Sequence, residues 1–186
     1  MENDKTLLRI KTLTELHGAP GFEEEVRDYM KKEMTPFVDE VITTHMGSVF
    51  GIKKSKKQNA KRVMVAAHMD EIGFMITNIT QNGMLQFTNL GGVSNDIWQG
   101  QRLQVKNRNG EKIVGVVSNI PKHFRTGNEA VPEIKDLMLD IGAESDKEVR
   151  SRGIEIGDTI VPFTPFTQLS EHRYSACLLY TSPSPR

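Results

Sequence analysis

Cysteine is nearly absent from this sequence. Its one example, Cys177, cannot close an internal disulfide, which agrees with a reducing compartment. Net charge is absent as well, because 24 basic and 24 acidic residues cancel, and no overall field draws the chain to nucleic acid or to an anionic membrane. The opening residues, Met1-Glu2-Asn3-Asp4-Lys5, are polar with no apolar stretch behind them, so neither a secretory signal nor a membrane span is expected. A cytoplasmic location, with no nucleic-acid and no membrane partner, is the expectation. Gly91-Gly92 lacks the spacing and the following Lys-Ser or Lys-Thr of a phosphate loop. Thr167 and Ser170 stand in no recognisable nucleophile motif. No internal repeat is present. Composition leaves an ordinary soluble protein of 186 residues, 37% hydrophobic and 26% charged, folding as one large domain or two small ones.

What is present begins with helical patterning. Leu7, Ile10, Leu13, Thr14 and Leu16 recur at a loose helical spacing that stops at His17-Gly18-Ala19-Pro20-Gly21. A second helix is clearer: Phe22, Val26 and Met30 repeat every four residues, with Glu23, Glu24 and Glu25 in its first turn and Lys31 and Lys32 in its last, an order that complements the helix dipole. Two short strands, Val38 to Thr43 and Ser48 to Ile52, join through Met46-Gly47. Six cations between Lys53 and Arg62 make that stretch solvated. Val63-Met64-Val65-Ala66-Ala67 is apolar without alternation, the pattern of a strand covered on both faces of an α/β sheet.

From about Gly73 the pattern becomes hairpins: Phe74 to Thr80 and Met84 to Asn89 around Asn82-Gly83, then Arg102 to Lys106 and Lys112 to Val117 around Asn109-Gly110. A strand over Leu137 to Ile141, a helix capped by Ser145 with Glu148 three residues on, ending at Gly153, and a strand over Ile154 to Val161 follow. Trp98 and the Phe residues are core material. This block predicts a small β-barrel or sandwich inserted into an α/β domain.

His68 is expected at the carboxyl end of the Val63 to Ala67 strand, where open α/β sheets bind ligands. Neutral imidazole is the commonest ligand for zinc and related metals, and Asp70 could accept the other ring N–H and fix its tautomer. From spacing alone, a buried histidine satisfied by a neighbouring aspartate is the simpler reading, because His-x-Asp is short and frequent by chance. Adjacent carboxylates on extended chain point to opposite faces, so Asp70 and Glu71 make a poor glycosidase pair; Glu71-Ile72-Gly73 is expected to shape the turn leaving the strand. His17 and His45 sit beside glycines and read as solvated or capping residues. His123 and His172 read as surface residues of polar loops.

The series Leu16-His17-Gly18-Ala19-Pro20-Gly21-Phe22-Glu23, Val26-Arg27, Ala66 to Gly73, and Gly153-Ile154-Glu155-Ile156-Gly157-Asp158 resembles the glutamyl and tetrahedral aminopeptidases, in order and to about Ala176. That resemblance implies a cytoplasmic dinuclear metallopeptidase with an α/β catalytic domain, a central mixed sheet with flanking helices, interrupted by a β-barrel dimerisation domain. It implies His68 as a ligand of one of two divalent metal ions, Zn or Co, and Asp70 as the catalytic carboxylate that orients it. Pro20-Gly21 and Arg27 match structural positions. Residues 1–72 would be catalytic domain, 73–163 the inserted barrel, and 164–176 the return. The activity implied for the intact parent is removal of an N-terminal residue, Glu or Asp, from peptides by a metal-activated water, in homo-oligomers whose dimers build a larger shell.

After Arg173-Tyr174-Ser175-Ala176 the family pattern requires Lys-Ala and an Asp-Asp or Asp-Asn pair, but the sequence reads Cys177-Leu178-Leu179-Tyr180. The bridging aspartate, the glutamate pair and the remaining ligands are therefore missing, and the chain is expected to be inactive. Residues 177–186 change composition abruptly and resemble translated sequencing adapter, a non-native disordered tail. The alternatives are a non-enzymatic truncated scaffold that still dimerises, and an endoglucanase, a label attached to some relatives. Losing the rest of the catalytic domain would leave Val63 to Ala67 exposed.

Overall fold

The computed structural model describes residues 2–118, 131–171 and 173–176. Helices α1 (Glu2–Glu15) and α2 (Glu24–Met34) open the fold and are joined by an Arg9–Glu33 ion pair of 2.7 Å. Helix α2 carries Glu24 and Glu25 in its first turn and Lys31 and Lys32 in its last, and Val26 is its buried residue. A hairpin of β1 (Glu40–Thr43) and β2 (Val49–Ile52) follows, paired from Glu40↔Ile52 to Thr43↔Val49. Its turn closes at Gly47, whose φ of +87° favours glycine and which lies against the Arg27 guanidinium.

The expected strand over Val63 to Ala67 is not formed. These residues have no strand assignment and are all exposed, with Val63, Met64 and Val65 at 84%, 79% and 94% accessibility. A strand buried on both faces needs a ladder partner and cover above and below, and the described residues supply neither. The apolar side chains are therefore left in solvent.

Six strands close a barrel in the order β3-β4-β7-β6-β5-β8, which decides between barrel and sandwich. They are β3 (Gly73–Ile79), β4 (Leu85–Leu90), β5 (Arg102–Lys106), β6 (Lys112–Val117), β7 (Met138–Asp140) and β8 (Thr159–Pro162). Two hairpins form where the turn residues lie, with Gly83 at φ +80° and Gly110 at φ +81°. The last strand seals the barrel. β8 pairs with β3 at Phe74↔Ile160 and with β5 from Leu103↔Pro162 to Lys106↔Thr159. The strand expected from Ile154 is shorter than its pattern, because Ile154 to Asp158 forms a turn with Gly157 at φ +94° and Glu155 N–H donating to Asp158 Oδ2.

Helix α3 (Asp146–Ser151) is capped by Ser145, whose side chain accepts from Glu148 N–H. Glu148 reaches back one residue further than a capping box requires, to Glu144 N–H at 2.9 Å. The core lies inside the barrel: Phe74, Phe87, Trp98, Leu103, Val105, Leu139 and Ile160 are fully buried. Phe74 meets Phe87 and Trp98 edge to face, with centroids 5.3 and 4.8 Å apart, and Trp98 Nε1–H donates to Ser94 O. Beyond the barrel, β9 (Thr167–Ser170) and β10 (Arg173–Ser175) form an exposed hairpin.

Removing the central ring should be costly. Phe74→Ala is expected to lower unfolding stability by about 3–5 kcal/mol through lost burial and a residual cavity, whereas Val116→Ala on the exposed side should change it by less than about 0.5 kcal/mol. Urea unfolding followed by Trp98 fluorescence would check this, and equal losses would contradict the assigned core.

Candidate metal-ligand site and the loop behind it

His68 and Asp70 lie on the irregular segment between the exposed apolar run and β3. The His68 Nδ1 is 2.8 Å from Asp70 Oδ1 and 2.9 Å from the Asp70 carbonyl oxygen. Both oxygens are acceptors, so Nδ1 carries the proton and Nε2 keeps its lone pair free. The pair is open, with His68 60% and Asp70 43% accessible. A free Nε2 backed by a carboxylate is the arrangement of a metal-binding imidazole.

The next residue behaves differently from its expectation as a turn former. Glu71 is 6% exposed, and its Oε1 accepts from Gly18 N–H at 3.1 Å while its own N–H donates to Gly18 O at 2.8 Å. Burial pushes its carboxyl up to about 8 against that hydrogen bond, so it is largely protonated at neutral pH. It also lines a cleft of about 290 Å³ with Leu16, Gln104, Val161, Pro162 and Phe163.

His17 corrects a second expectation. A histidine beside a glycine was expected in a solvated turn, yet His17 is 1% exposed and Nε2 lies 2.7 Å from Thr159 Oγ1 on β8. Its Nδ1 is buried without a partner among the described residues. Burial first, then Lys106, lowers its pKa to about 4, which leaves the ring neutral. The backbone N–H of His17 donates to Glu25 Oε2, and Glu25 pairs with Lys106 of β5 at 2.9 Å and Lys112 of β6 at 2.8 Å. Burial alone would raise the Glu25 carboxyl, but the hydrogen bonds from Lys112, Lys106 and His17 outweigh it and hold the carboxyl at about 2.

These contacts were missed for one reason: partners in different segments cannot be read from local pattern. Glu25 looked like a helix-dipole residue, and its two lysine partners lie more than eighty positions away. His45 is exposed in the β1–β2 turn, as expected. His123, His172, Cys177 and the tail 177–186 lie outside the described residues.

Residues 47–179 match the M42 glutamyl aminopeptidase family. The chain is 38% identical over 159 residues to the glutamyl aminopeptidase of Lactococcus lactis subsp. cremoris (strain MG1363), covering 84% of this chain and 45% of that protein. Among solved structures, the TET aminopeptidase of Thaumarchaeota archaeon SCGC AB-539-E09 superposes with a TM-score of 0.82 at 35% identity, over 91% of this chain and 47% of that one. The TET1 peptidase of Pyrococcus horikoshii, described as able to assemble into a tetrahedron or a large octahedral shell, superposes at 0.73 and 29% identity over 88% and 48%. The chain spans about half the length of these relatives.

The pH response of Glu71 is testable. Its native value is raised above the unfolded one near 4.5, so its stabilisation is complete below about pH 4.5 and is lost as pH rises through about 8. Relative to Glu71→Gln, the wild type should lose thermal stability between about pH 5 and pH 8. Parallel melting curves across that range would contradict a buried, protonated Glu71.

Proposed function

The chain belongs to the M42 glutamyl aminopeptidase family, and on that premise we propose that it supplies one part of a metal-dependent aminopeptidase, with His68 as a metal ligand and Asp70 as the carboxylate that orients it. The observation that carries this reading is the Nδ1–H of His68 held by Asp70, which leaves Nε2 free. Acidic N-terminal residues of peptides are the proposed substrates, supported by the name of the Lactococcus relative. Residues 73–163 would be the inserted barrel and 164–176 the return to the catalytic domain. A homo-oligomer is proposed for the intact protein by analogy with the shells of the Pyrococcus peptidase, and a cytoplasmic location belongs to the same reading.

The donors present do not complete a metal site. A catalytic zinc takes about three protein ligands and keeps an open position, and no group of three or more His, Cys, Asp or Glu residues is placed to hold a metal among the described residues. A Zn or Co pair, when bound in the intact protein, would lower the pKa of a shared water. No step of that reaction is assigned to this chain, which we propose is inactive alone and remains a scaffold. The endoglucanase alternative has no support in the geometry, because Asp70 faces His68 while Glu71 is buried against Gly18.

Two assays separate these readings. The 186-residue chain should release no glutamate from a glutamyl anilide with Zn²⁺ or Co²⁺, and metal-dependent release would overturn its inactivity. A chimera joining residues 1–176 to the unmatched remainder of the Lactococcus enzyme should gain that activity, lose it with His68→Ala, and fall about 10–100-fold with Asp70→Ala. A folded, metal-loaded chimera that cleaves no anilide, or that keeps full activity with His68→Ala, would refute the aminopeptidase assignment.

A further inference from the structure

His68 and Asp70 are open to solvent and follow an apolar run with no ladder, so something else must hold them in relation to the barrel. The first buried residue after them is Glu71, and it is bound on both backbone and side chain to the same partner. Glu71 N–H donates to Gly18 O, and Gly18 N–H donates back to Glu71 Oε1. The loop also presses on the chain to either side of Glu71. A Cβ placed on Gly18 would stand 3.3 Å from the Met69 carbonyl oxygen and 3.1 Å from Val26 Cγ2, and one placed on Gly73 would stand 2.7 Å from Pro20 Cδ and 2.9 Å from Ala19 Cβ. Met69 is the residue between His68 and Asp70.

The loop is itself fixed from the far side. The His17 ring meets Thr159 of β8, and its backbone N–H meets Glu25, which is paired to β5 and β6. We propose that loop 17–20 is the positioning element of the His68–Asp70 pair, with Gly18 and Glu71 as its positioning residues. The link runs from barrel to loop to Glu71 and then one peptide unit to Asp70, whose backbone and carboxylate oxygens both receive His68 Nδ1–H. This proposal rests on the reading of His68 as a metal ligand only for its functional meaning; the geometry is independent of it. Gly18 is favoured by close approach, because an added side chain would crowd the Met69 carbonyl and Val26 of α2, which would have to give by a few tenths of an ångström. Glu71 is required as an acceptor, not as a charge.

The test is the tautomer of His68 in the ¹⁵N-labelled 186-residue chain, read from long-range ¹H–¹⁵N couplings at a fixed pH where the ring is neutral. Wild type and Glu71→Gln, which keeps the acceptor for Gly18 N–H, should share a predominant Nδ1–H tautomer. Glu71→Ala and Gly18→Val should each lower the ratio of Nδ1–H to Nε2–H at least about threefold, because the Asp70 oxygens that select the Nδ1–H tautomer would no longer be held against the ring. The barrel amide shifts, from β3 to β8, should stay in place. An unchanged ratio in either variant, with those shifts retained, would overturn the proposal. If Glu71→Ala and Gly18→Val both scatter the barrel amides, Gly18→Ala, which crowds the Met69 carbonyl by a few tenths of an ångström, decides in the same way. A general loss of stability would move melting temperature but leave the tautomer ratio unaltered in the folded fraction. Adding Zn²⁺ to the same samples separates the two readings. A wild-type His68 that shows no Zn²⁺-induced shift at Nε2 counts against the metal-ligand assignment, while the tautomer response still decides the positioning role.

Discussion

A polar seam between the α1–α2 loop and the barrel is the interaction on which the rest of the chain depends. The apolar core is contributed by residues from Ile72 to Ile160, and among the described residues no side chain of α1 or α2 joins it. Helix α2 offers only Val26 as a buried residue, while the loop adds Ala19 and His17. Apolar burial therefore holds the barrel together but does little to attach the helices. Their attachment comes from Glu25 with Lys106 and Lys112, and from His17 with Thr159. Glu25 is partly screened at 25% accessibility, so its pairs are weaker than fully buried ones. Three donors converge on one carboxylate, however, and that fixes direction as well as distance.

The seam also determines the charge states around it. Burial first, and then the nearby lysines, disfavour a cation on the imidazole, so His17 stays neutral, with its Nδ1 unpartnered among the described residues. Glu71 sits on the other side of the loop, where burial outweighs its one hydrogen bond. A neutral acid there still accepts from Gly18 N–H. An apolar residue of similar size would leave that N–H without a partner, a cost of about 1–3 kcal/mol. Nearby residues of one loop thus favour opposite protonation behaviour in Glu25 and Glu71, because two lysines hydrogen-bond directly to one carboxyl while burial dominates at the other.

Local pattern made much of the fold legible. Asn82-Gly83 and Asn109-Gly110 mark real hairpins, Ser145 caps a real helix, and the glycines there adopt the left-handed conformations that the turns demand. What local pattern left open, and only the family resemblance supplied for the barrel, is the pairing of distant partners. The closing of the barrel depends on β8 meeting both β3 and β5, and His17 finds its partner 142 positions away. The Val63 to Ala67 run shows the opposite failure. Its composition reports the environment that a strand would need, and the described residues do not provide it. Periodicity records a demand for cover; only tertiary structure shows whether the demand is met.

The same distinction applies to His68-Met69-Asp70. As a spacing the motif carries little, since a histidine two residues from an aspartate can point anywhere on a free chain. In the proposed role of the loop it acquires direction because Glu71, one residue later, is tied to Gly18 by two hydrogen bonds, and a side chain at Gly18 would crowd Val26 of α2 and the Met69 carbonyl. In the role proposed for His68, the precision of an open ligand is thereby taken from a buried neighbour, as supported sites require. The proposed ligand and its carboxylate remain exposed, while the cost of order falls on buried residues for which no chemistry is proposed. Glu71 and Gly18 are informative for that reason: a buried carboxylic acid bound to a glycine backbone is largely uncharged at neutral pH, and its proposed use lies in where it holds the preceding residue.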